Sequence, residues 1–223
     1  MKYELLYQPS FSVARMMLES GEAVRAESGA MVSMTANMHL ESKGQGGLGK
    51  MLGRLVAGES MFQSTFTAQN GPGEVIFAPS SPGDIYALDV SAHPMMVTSG
   101  CYLAGDTRLE MQTVGNMKNF FGGESIFMLR IFGAGLLLVS SFGAIHAVQL
   151  QAGQQYIVDT GHLVAFSEGM GYNLKKAARG ILGSMTSGEG IVAEMTGPGV
   201  VYIQTRTPQG FGSWLSPFVA RGG

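Results

Sequence analysis

The sequence predicts an all-β protein built from three copies of one structural unit. Three observations lead to this prediction. Glycine provides 33 of the 223 residues and proline eight, a composition that favours tight turns over a bundle of helices. Apolar residues alternate with polar ones at a period of two in several short runs, as they do in half-buried strands. Three short landmarks also recur in the same order along the chain, which indicates internal repeats.

Composition limits the classes of protein that the chain can represent. Its length suits one large domain with a sizeable core. Charged residues make up 13% and the net charge is −2, so the overall charge does not favour binding of DNA or RNA. The single cysteine, Cys101, excludes an intrachain disulfide framework and a zinc site with several cysteines. The N-terminal residues lack the charged start and apolar run of a signal peptide, which predicts a cytoplasmic location.

The landmarks divide the chain into repeats of about 1–90, 91–150 and 151–207, followed by a tail over 208–223. The first landmark is a small-residue turn, the second a Gly-Glu pair, and the third a glycine-rich turn before apolar residues. We expect all of them to have structural duties, because an active site seldom needs three equivalent copies. In chain order they contain Gly29, Gly100 and Gly161, then Glu59, Glu124 and Glu189, then Gly73, Gly135 and Gly199.

Each pair of second and third landmarks is predicted to bracket a β-hairpin. In the third copy the apolar residues Ile191, Ala193 and Met195 alternate with more polar neighbours, and Val200–Ile203 follow the turn. Equivalent runs stand at 62–68 with 74–77 and at 126–132 with 136–140. The 18 residues 131–148 carry no formal charge and approach the length of a membrane span. Their position in the second copy favours buried strands instead.

The inserts between the first and second landmarks are predicted to hold short amphipathic helices. Apolar residues recur at helical spacing, with basic residues on the other side. Two interpretations stay open: the apolar stripes cover the ends of the β core, or they form a surface for an anionic membrane or a partner protein. The apolar residues are Leu48, Met51, Leu52 and Leu55, Phe120 and Phe121, and Leu174, Ala177, Ala178 and Ile181. The basic residues are Lys43, Lys50, Arg54, Lys118, Lys175, Lys176 and Arg179.

The tail carries an apolar stripe at helical spacing, made of Phe211, Trp214, Leu215 and Phe218. We expect it to pack on the body of the protein or on a neighbouring subunit. The preference of tryptophan for interfaces leaves a membrane role open.

No pattern of residues in the sequence indicates a catalytic site. None of the four histidines is paired at metal-binding spacing; they are His39, His93, His146 and His162. Cys101 has apolar neighbours and is interpreted first as a small buried hydrophobic residue, although a Cys–His pair that forms only in space stays open. We therefore predict no catalytic residues, no cofactor, no metal and no identified small-molecule substrate.

The ordered set of motifs resembles the altered inheritance of mitochondria protein 24 family over about residues 2–220. The motifs are the Glu27–Met31 turn, the glycine-rich basic insert, the Gly58–Phe62 landmark and the Gly-Pro-Gly turn. The resemblance implies a bent β-ribbon fold of the double-stranded β-helix or jelly-roll type with three repeats, grouped with the tryptophan RNA-binding attenuation protein. It also implies an uncharacterised bacterial or archaeal branch without an established catalytic activity. The eukaryotic member is tied to mitochondrial inner-membrane organisation.

The leading hypothesis is a non-enzymatic assembly or scaffold protein that forms homo-oligomers and attaches peripherally to a membrane. The competing class is a cupin-like enzyme or binder of a small ligand or metal, which shares the bent β architecture. RNA binding ranks third, because few surface cations and a net negative charge weigh against it.

Overall fold

The computed structural model describes residues 1–42, 63–116, 127–176 and 191–219, and these residues form nineteen β-strands and one short α-helix. The first strands are β1 (Lys2–Leu6), β2 (Val13–Leu18), β3 (Ala23–Glu27), β4 (Met31–Met34), β5 (Met38–Ser42), β6 (Gln63–Ala68) and β7 (Gly73–Phe77). The middle strands are β8 (Ile85–Asp89), β9 (Met95–Thr98), β10 (Tyr102–Asp106), β11 (Glu110–Asn116), β12 (Phe127–Phe132) and β13 (Leu136–Ser140). The last strands are β14 (Ile145–Leu150), β15 (Gln155–Asp159), β16 (Leu163–Ser167), β17 (Gly171–Lys176), β18 (Ile191–Thr196) and β19 (Gly199–Gln204). Helix α1 (Pro208–Leu215) and a 3₁₀ turn (Ser216–Phe218) follow.

The strands form four antiparallel sheets. The first sheet has the order β1-β2-β7-β4, and the second has the order β5-β6-β3-β10-β13-β8. The third sheet has the order β11-β12-β9-β16-β19-β14, and the fourth is β15-β18-β17. The all-β prediction is confirmed, and the uncharged run at 131–148 consists of strand residues and connections rather than one long helix. Among the residues described, no helix is long and apolar enough to span a membrane.

The predicted hairpins are wrong in their pairing, although their strands exist. β6 and β7, β12 and β13, and β18 and β19 each lie in two different sheets. The glycine-rich turns therefore carry the chain from one sheet to the next. At Gly135 the backbone has φ +143°, and an added Cβ would lie 2.6 Å from the Cβ of Asp106. At Gly199, with φ +149°, it would lie 2.6 Å from Met170, so both corners require glycine.

One pairing pattern occurs in three consecutive groups of six strands, namely β2–β7, β8–β13 and β14–β19. In each group the sixth strand pairs with the first and the third, and the fifth strand pairs with the second and the fourth. Two seams join the groups to one another: β3 pairs with β10, and β9 pairs with β16. The second and third sheets are therefore each assembled from strands of two groups.

Three apolar cores separate the four sheets. The first core joins residues of the first and second sheets, the second core those of the second and third, and the third core those of the third and fourth. The second sheet contributes to cores on both of its faces: Leu138 of β13 lies in the first core, whereas Leu137 and Val139 lie in the second. Among the described residues the first and fourth sheets share no core, so they form the two ends of a stack.

Candidate functional site

Most residues of the predicted basic and apolar insert surface lie outside the described residues. They are Lys43, Leu48, Lys50, Met51, Leu52, Arg54, Leu55, Lys118, Phe120, Phe121, Ala177, Ala178, Arg179 and Ile181, together with the landmark residues Glu59, Glu124 and Glu189. The arrangement of this surface stays a prediction.

The start of the third predicted helix is wrong. Leu174, Lys175 and Lys176 belong to strand β17 and pair with β18. The side chain of Leu174 packs against the third core, and Lys175 Nζ lies 2.5 Å from Glu194 Oε2 on the adjacent strand. At Leu174 the pairing with the adjacent strand decided the structure, and the helical spacing did not. The charge of Lys175 is paired with a neighbouring carboxylate instead of standing alone on a basic surface.

The glycine landmarks within the described residues all lie at turns or strand starts. Gly29, with φ +91°, precedes β4, and Gly100 and Gly161 lie in 3₁₀ turns before β10 and β16. Gly73 begins β7, where an added Cβ would lie 2.5 Å from the sulfur of Met38. These positions shape the backbone and hold no functional side chain.

The lone thiol is an interior group. Cys101 belongs to the second core, and burial raises the pKa of its thiol to about 12, with the nearby Glu27 carboxylate acting in the same direction. At neutral pH the sulfur therefore stays protonated, whereas a nucleophilic cysteine needs thiolate character. Burial also raises the pKa of the Glu27 carboxyl group.

The histidines of the described chain do not converge. His162 is the last residue of the 3₁₀ turn before β16, and its Nδ1 lies 2.6 Å from the backbone oxygen of Gln204. His39 Nε2 lies 3.5 Å from Glu41 Oε1 on the same strand, and both side chains are at least half exposed. Within the ranges that the structure describes, no three His, Cys, Asp or Glu side chains form a group able to hold a metal ion.

The C-terminal tail presents an aromatic surface. Helix α1 begins at the N-cap Thr207, whose hydroxyl accepts a hydrogen bond from Gly210 N at 3.0 Å, and none of its residues is buried. The ring of Phe211 contacts the ring of Phe142 on the body and that of Trp214, which in turn contacts Phe218. Trp214 is 62% exposed. Among the residues described, Phe211 thus gives the tail an aromatic contact with the body, whereas the side chains of Trp214 and Phe218 are largely exposed.

A second exposed aromatic pair, which the sequence did not single out, lies on the loop between β1 and β2. Tyr7 and Phe11 are exposed on this loop. The loop is held by the buried Asp84, whose carboxylate accepts hydrogen bonds from Gln8 Nε2 at 3.0 Å and Ser12 Oγ at 3.1 Å. A search for sequence motifs does not find this carboxylate, because the two loop side chains that donate to it lie more than 70 residues away.

The described residues therefore form an all-β protein of four stacked sheets with exposed aromatic side chains on the C-terminal tail and on the loop between β1 and β2. It belongs to the family described as mitochondrial biogenesis AIM24, whose model matches residues 3–206. This result confirms the family resemblance drawn from the motifs.

Two streptococcal proteins show the same relationship. An uncharacterized protein of Streptococcus pyogenes serotype M6 is 33% identical over 231 residues, which cover 98% of this chain and 91% of that protein. The X-ray crystal structure of a protein from Streptococcus pyogenes has a TM-score of 0.82 and 30% identity, with 98% of this chain and 99% of the other covered. The similarity therefore extends through the whole architecture.

Proposed function

We propose that this protein is a non-enzymatic scaffold that associates with copies of itself and attaches peripherally to an anionic membrane surface. The observation that carries the membrane part is the outward-facing aromatic stripe of the C-terminal tail. Exposed apolar patches on a protein surface commonly mark sites of interaction with proteins or membranes. Tryptophan and phenylalanine on a short amphipathic segment suit the boundary between lipid headgroups and acyl chains.

Attachment would combine two weak contributions. The tail would supply apolar contact through Trp214 and Phe218, and the basic inserts would supply electrostatic attraction of about 1 kcal/mol for each cation near an anionic surface. Lys175 is a minor contributor because Glu194 already neutralises it. Binding of this kind is reversible and weakens as salt screens the charges.

We also propose that the chain consists of three structural repeats, each joined to the next by the same kind of seam along the stack of sheets. The recurrence of one pairing pattern in three groups of six strands supports this proposal. So does the β-bulge that interrupts the pairing at Met31/Ser33, at Tyr102/Ala104 and at Leu163/Ala165. Superposition of the three groups on one another tests it, and matching strand paths with unrelated connections would contradict a common ancestral unit.

Trp214 offers a direct test of membrane attachment, because it is the only tryptophan of the chain. Its exposed ring is expected to emit at long wavelength in buffer. Phosphatidylcholine vesicles that contain phosphatidylglycerol should shift this emission to shorter wavelength and carry the protein upward in a flotation gradient. Pure phosphatidylcholine vesicles, or high salt, should reduce both signals.

A matched pair of variants locates the contact. Phe218→Ser should lower the bound fraction several-fold, whereas Val114→Ser, on the exposed face of β11, should leave it unchanged. Absence of flotation with all vesicles would contradict the membrane part of the proposal. An emission shift that follows protein concentration without lipid would assign the tail to contact between copies of the chain instead.

A further inference from the structure

Two strands at opposite ends of the sheet stack have an unpaired edge within the described part of the chain. β4 is the outer strand of the first sheet, next to β7, and β15 is the outer strand of the fourth sheet, next to β18. The free backbone groups of such an edge are a template for another strand, and natural edges are usually protected by charges or proline. Strand β4 has no charged residue, and β15 has only Asp159 at its end.

The chain itself shows what these edges pair with. β10 and β16, the third strands of the second and third groups, pair antiparallel with β3 and β9, the second strands of the groups before them. β4 is the third strand of its group, and it pairs with β7 across the same bulge that β10 and β16 have. β15 is the second strand of its group, and it pairs with β18 as β3 pairs with β6. By this pattern β4 should have the second strand of another group as its neighbour, and β15 is a second strand with an unpaired edge.

The strand order of the sheets supports the same match. Each six-stranded sheet runs through the fourth, fifth and second strands of one group, then the third, sixth and first strands of the next group. The fourth sheet contains only the first half of this order, as β17-β18-β15, and the first sheet contains the second half, as β4-β7-β2, with β1 added. Joined at β15 and β4, the two sheets would complete the order found twice inside the chain.

The side chain at the β-bulge of the third strand is buried at the two internal seams and exposed at the end of the stack. Leu103 in β10 and Val164 in β16 occupy this position, and both are 0% exposed because they complete the first and second cores. Val32 occupies the position in β4 and is 58% exposed. By the same placement, Val32 would complete the third core of a neighbouring chain. Met34 and Ile157 are exposed apolar residues on the two edges as well.

We propose that β15 of one copy pairs antiparallel with β4 of a second copy, so that chains associate head to tail through a seven-stranded sheet. The contact is heterologous, since each copy presents one edge of each kind. The inference rests on the self-association proposed above and assigns its surface. The register of the internal seams sets the expected pairs, which are Ser33 with Val158, Met34 with Ile157, and Thr35 with Tyr156.

Cysteine crosslinking between two variants tests the pairing. Opposed residues of antiparallel strands lie about 4.5–5.5 Å apart, within the range that a disulfide bridges. Met34→Cys mixed with Ile157→Cys should give a disulfide-linked dimer under mild oxidation, and neither variant alone should exceed the background of the parent chain. Val32→Cys mixed with Ile157→Cys serves as a control on register, because Val164 and Phe166 of β16 face different cores and Val32 correspondingly faces away from Met34.

The other crosslinking outcomes each contradict the proposal. A dimer formed by Met34→Cys alone would show like edges in contact. A disulfide within single chains of the Met34→Cys, Ile157→Cys double variant would show closure inside one chain. Oligomers by light scattering without the crosslink would place self-association on another surface, leaving the scaffold function intact. A monomer at every concentration would refute the self-association itself.

A matched pair of substitutions measures the strength of the contact. Val32→Asp places a charge where the neighbouring core would receive an apolar side chain, and it should weaken association at least about tenfold. Val114→Asp introduces the same change on another edge strand, β11, where Val114 is 42% exposed. It should leave association unchanged. Both sites are exposed in a single chain, so both variants should fold, and equal effects of the two would contradict the proposal.

Discussion

The internal seams of the molecule and the outer edges of β4 and β15 have the same strand geometry, but the side chains are buried at the seams and exposed at the edges. At the seams, Leu103 and Val164 are completely enclosed, whereas Val32 at the corresponding bulge of the outer strand is mostly exposed. The three side chains are all apolar and stand at the same β-bulge of the third strand. The comparison shows that burial here depends on whether the next group of strands is present, and only weakly on local sequence.

The same contrast extends to whole sheets. The second and third sheets have apolar side chains on both faces, and the strands β10, β13 and β16 are nearly continuous runs of buried residues. The first sheet shows strict alternation, as in β2 and β7, because only one of its faces meets a core. These strands of an end sheet therefore alternate between buried and more exposed residues, as in an ordinary two-layer protein, whereas β10, β13 and β16 of the middle sheets are buried on both faces.

The largest expected difference between the two regions is in the cost of removing an apolar side chain. Leu103→Ala should lower the free energy of unfolding by about 2–5 kcal/mol, since it leaves a cavity in the first core. Val32→Ala should cost less than about 0.5 kcal/mol at protein concentrations too low for association. Urea unfolding of both variants measures this, and similar losses would show that the outer edge is already covered within one chain.

Alkaline pH should act on the interior through Cys101. In the unfolded chain the thiol ionises near its ordinary value of 9, whereas in the folded chain burial raises its pKa to about 12. Because only the unfolded state gains by releasing the proton in this interval, stability should fall as pH rises, by about 1 kcal/mol between about pH 9 and pH 10. Denaturant melts at several pH values measure the slope.

Cys101→Ala is the control for this pH dependence. It should flatten the slope in that interval whatever it does to stability at neutral pH. Burial also raises the pKa of the Tyr102 hydroxyl, so some loss of stability should persist at higher pH. An unchanged slope in the alanine variant would mean that the thiol is not the group responsible.

A hydrogen bond across the first seam should have a smaller effect. The hydroxyl of Tyr102 donates to the backbone oxygen of Arg25 at 3.1 Å, linking β10 to β3. Tyr102→Phe removes this hydrogen bond and should cost about 1 kcal/mol. Tyr86→Phe, at a more exposed tyrosine, should cost close to nothing in the same thermal or urea melts. Equal losses of stability in the two variants would contradict a specific contribution of the Tyr102 hydroxyl at the seam.

The smallest effect is expected at the far end of the stack. Lys175→Met removes the ion pair with Glu194 on the fourth sheet, and pairs this exposed contribute about 0–1 kcal/mol. Unfolding in low and high salt should show the difference only at low salt, because ions screen such a pair. A large loss that persists in high salt would indicate that the methylene stem of Lys175 packs more closely than its exposure suggests.

Individual strands were more predictable than their partners. The alternation of Ile191, Ala193 and Met195 located β18 and its buried face correctly, since period two is a property of one strand. It carries no information about which neighbour the strand pairs with, and the expected hairpin with β19 is absent. At Leu174 the spacing of apolar residues matched a helix, and pairing with Ala193 made it a strand.

Of the candidate surfaces, the sequence predicted only those that depend on a local pattern of residues. The stripe of Phe211, Trp214 and Phe218 was visible in the sequence because a short helix displays a local pattern. The loop that Asp84 holds, with Tyr7 and Phe11 exposed on it, depends on contacts between distant residues. The unpaired edges of β4 and β15 were not visible at all.

The amino-acid sequence by itself determined the class of fold, the positions of the six strands that flank the glycine-rich turns, and membership of the family, because turn residues and side-chain alternation act over a few residues. Only the tertiary structure decided which strands are neighbours, which sheets are covered on both faces and where the stack ends. Those outcomes depend on contacts between residues far apart in the chain, and identical local geometry is compatible with either a buried seam or an open edge.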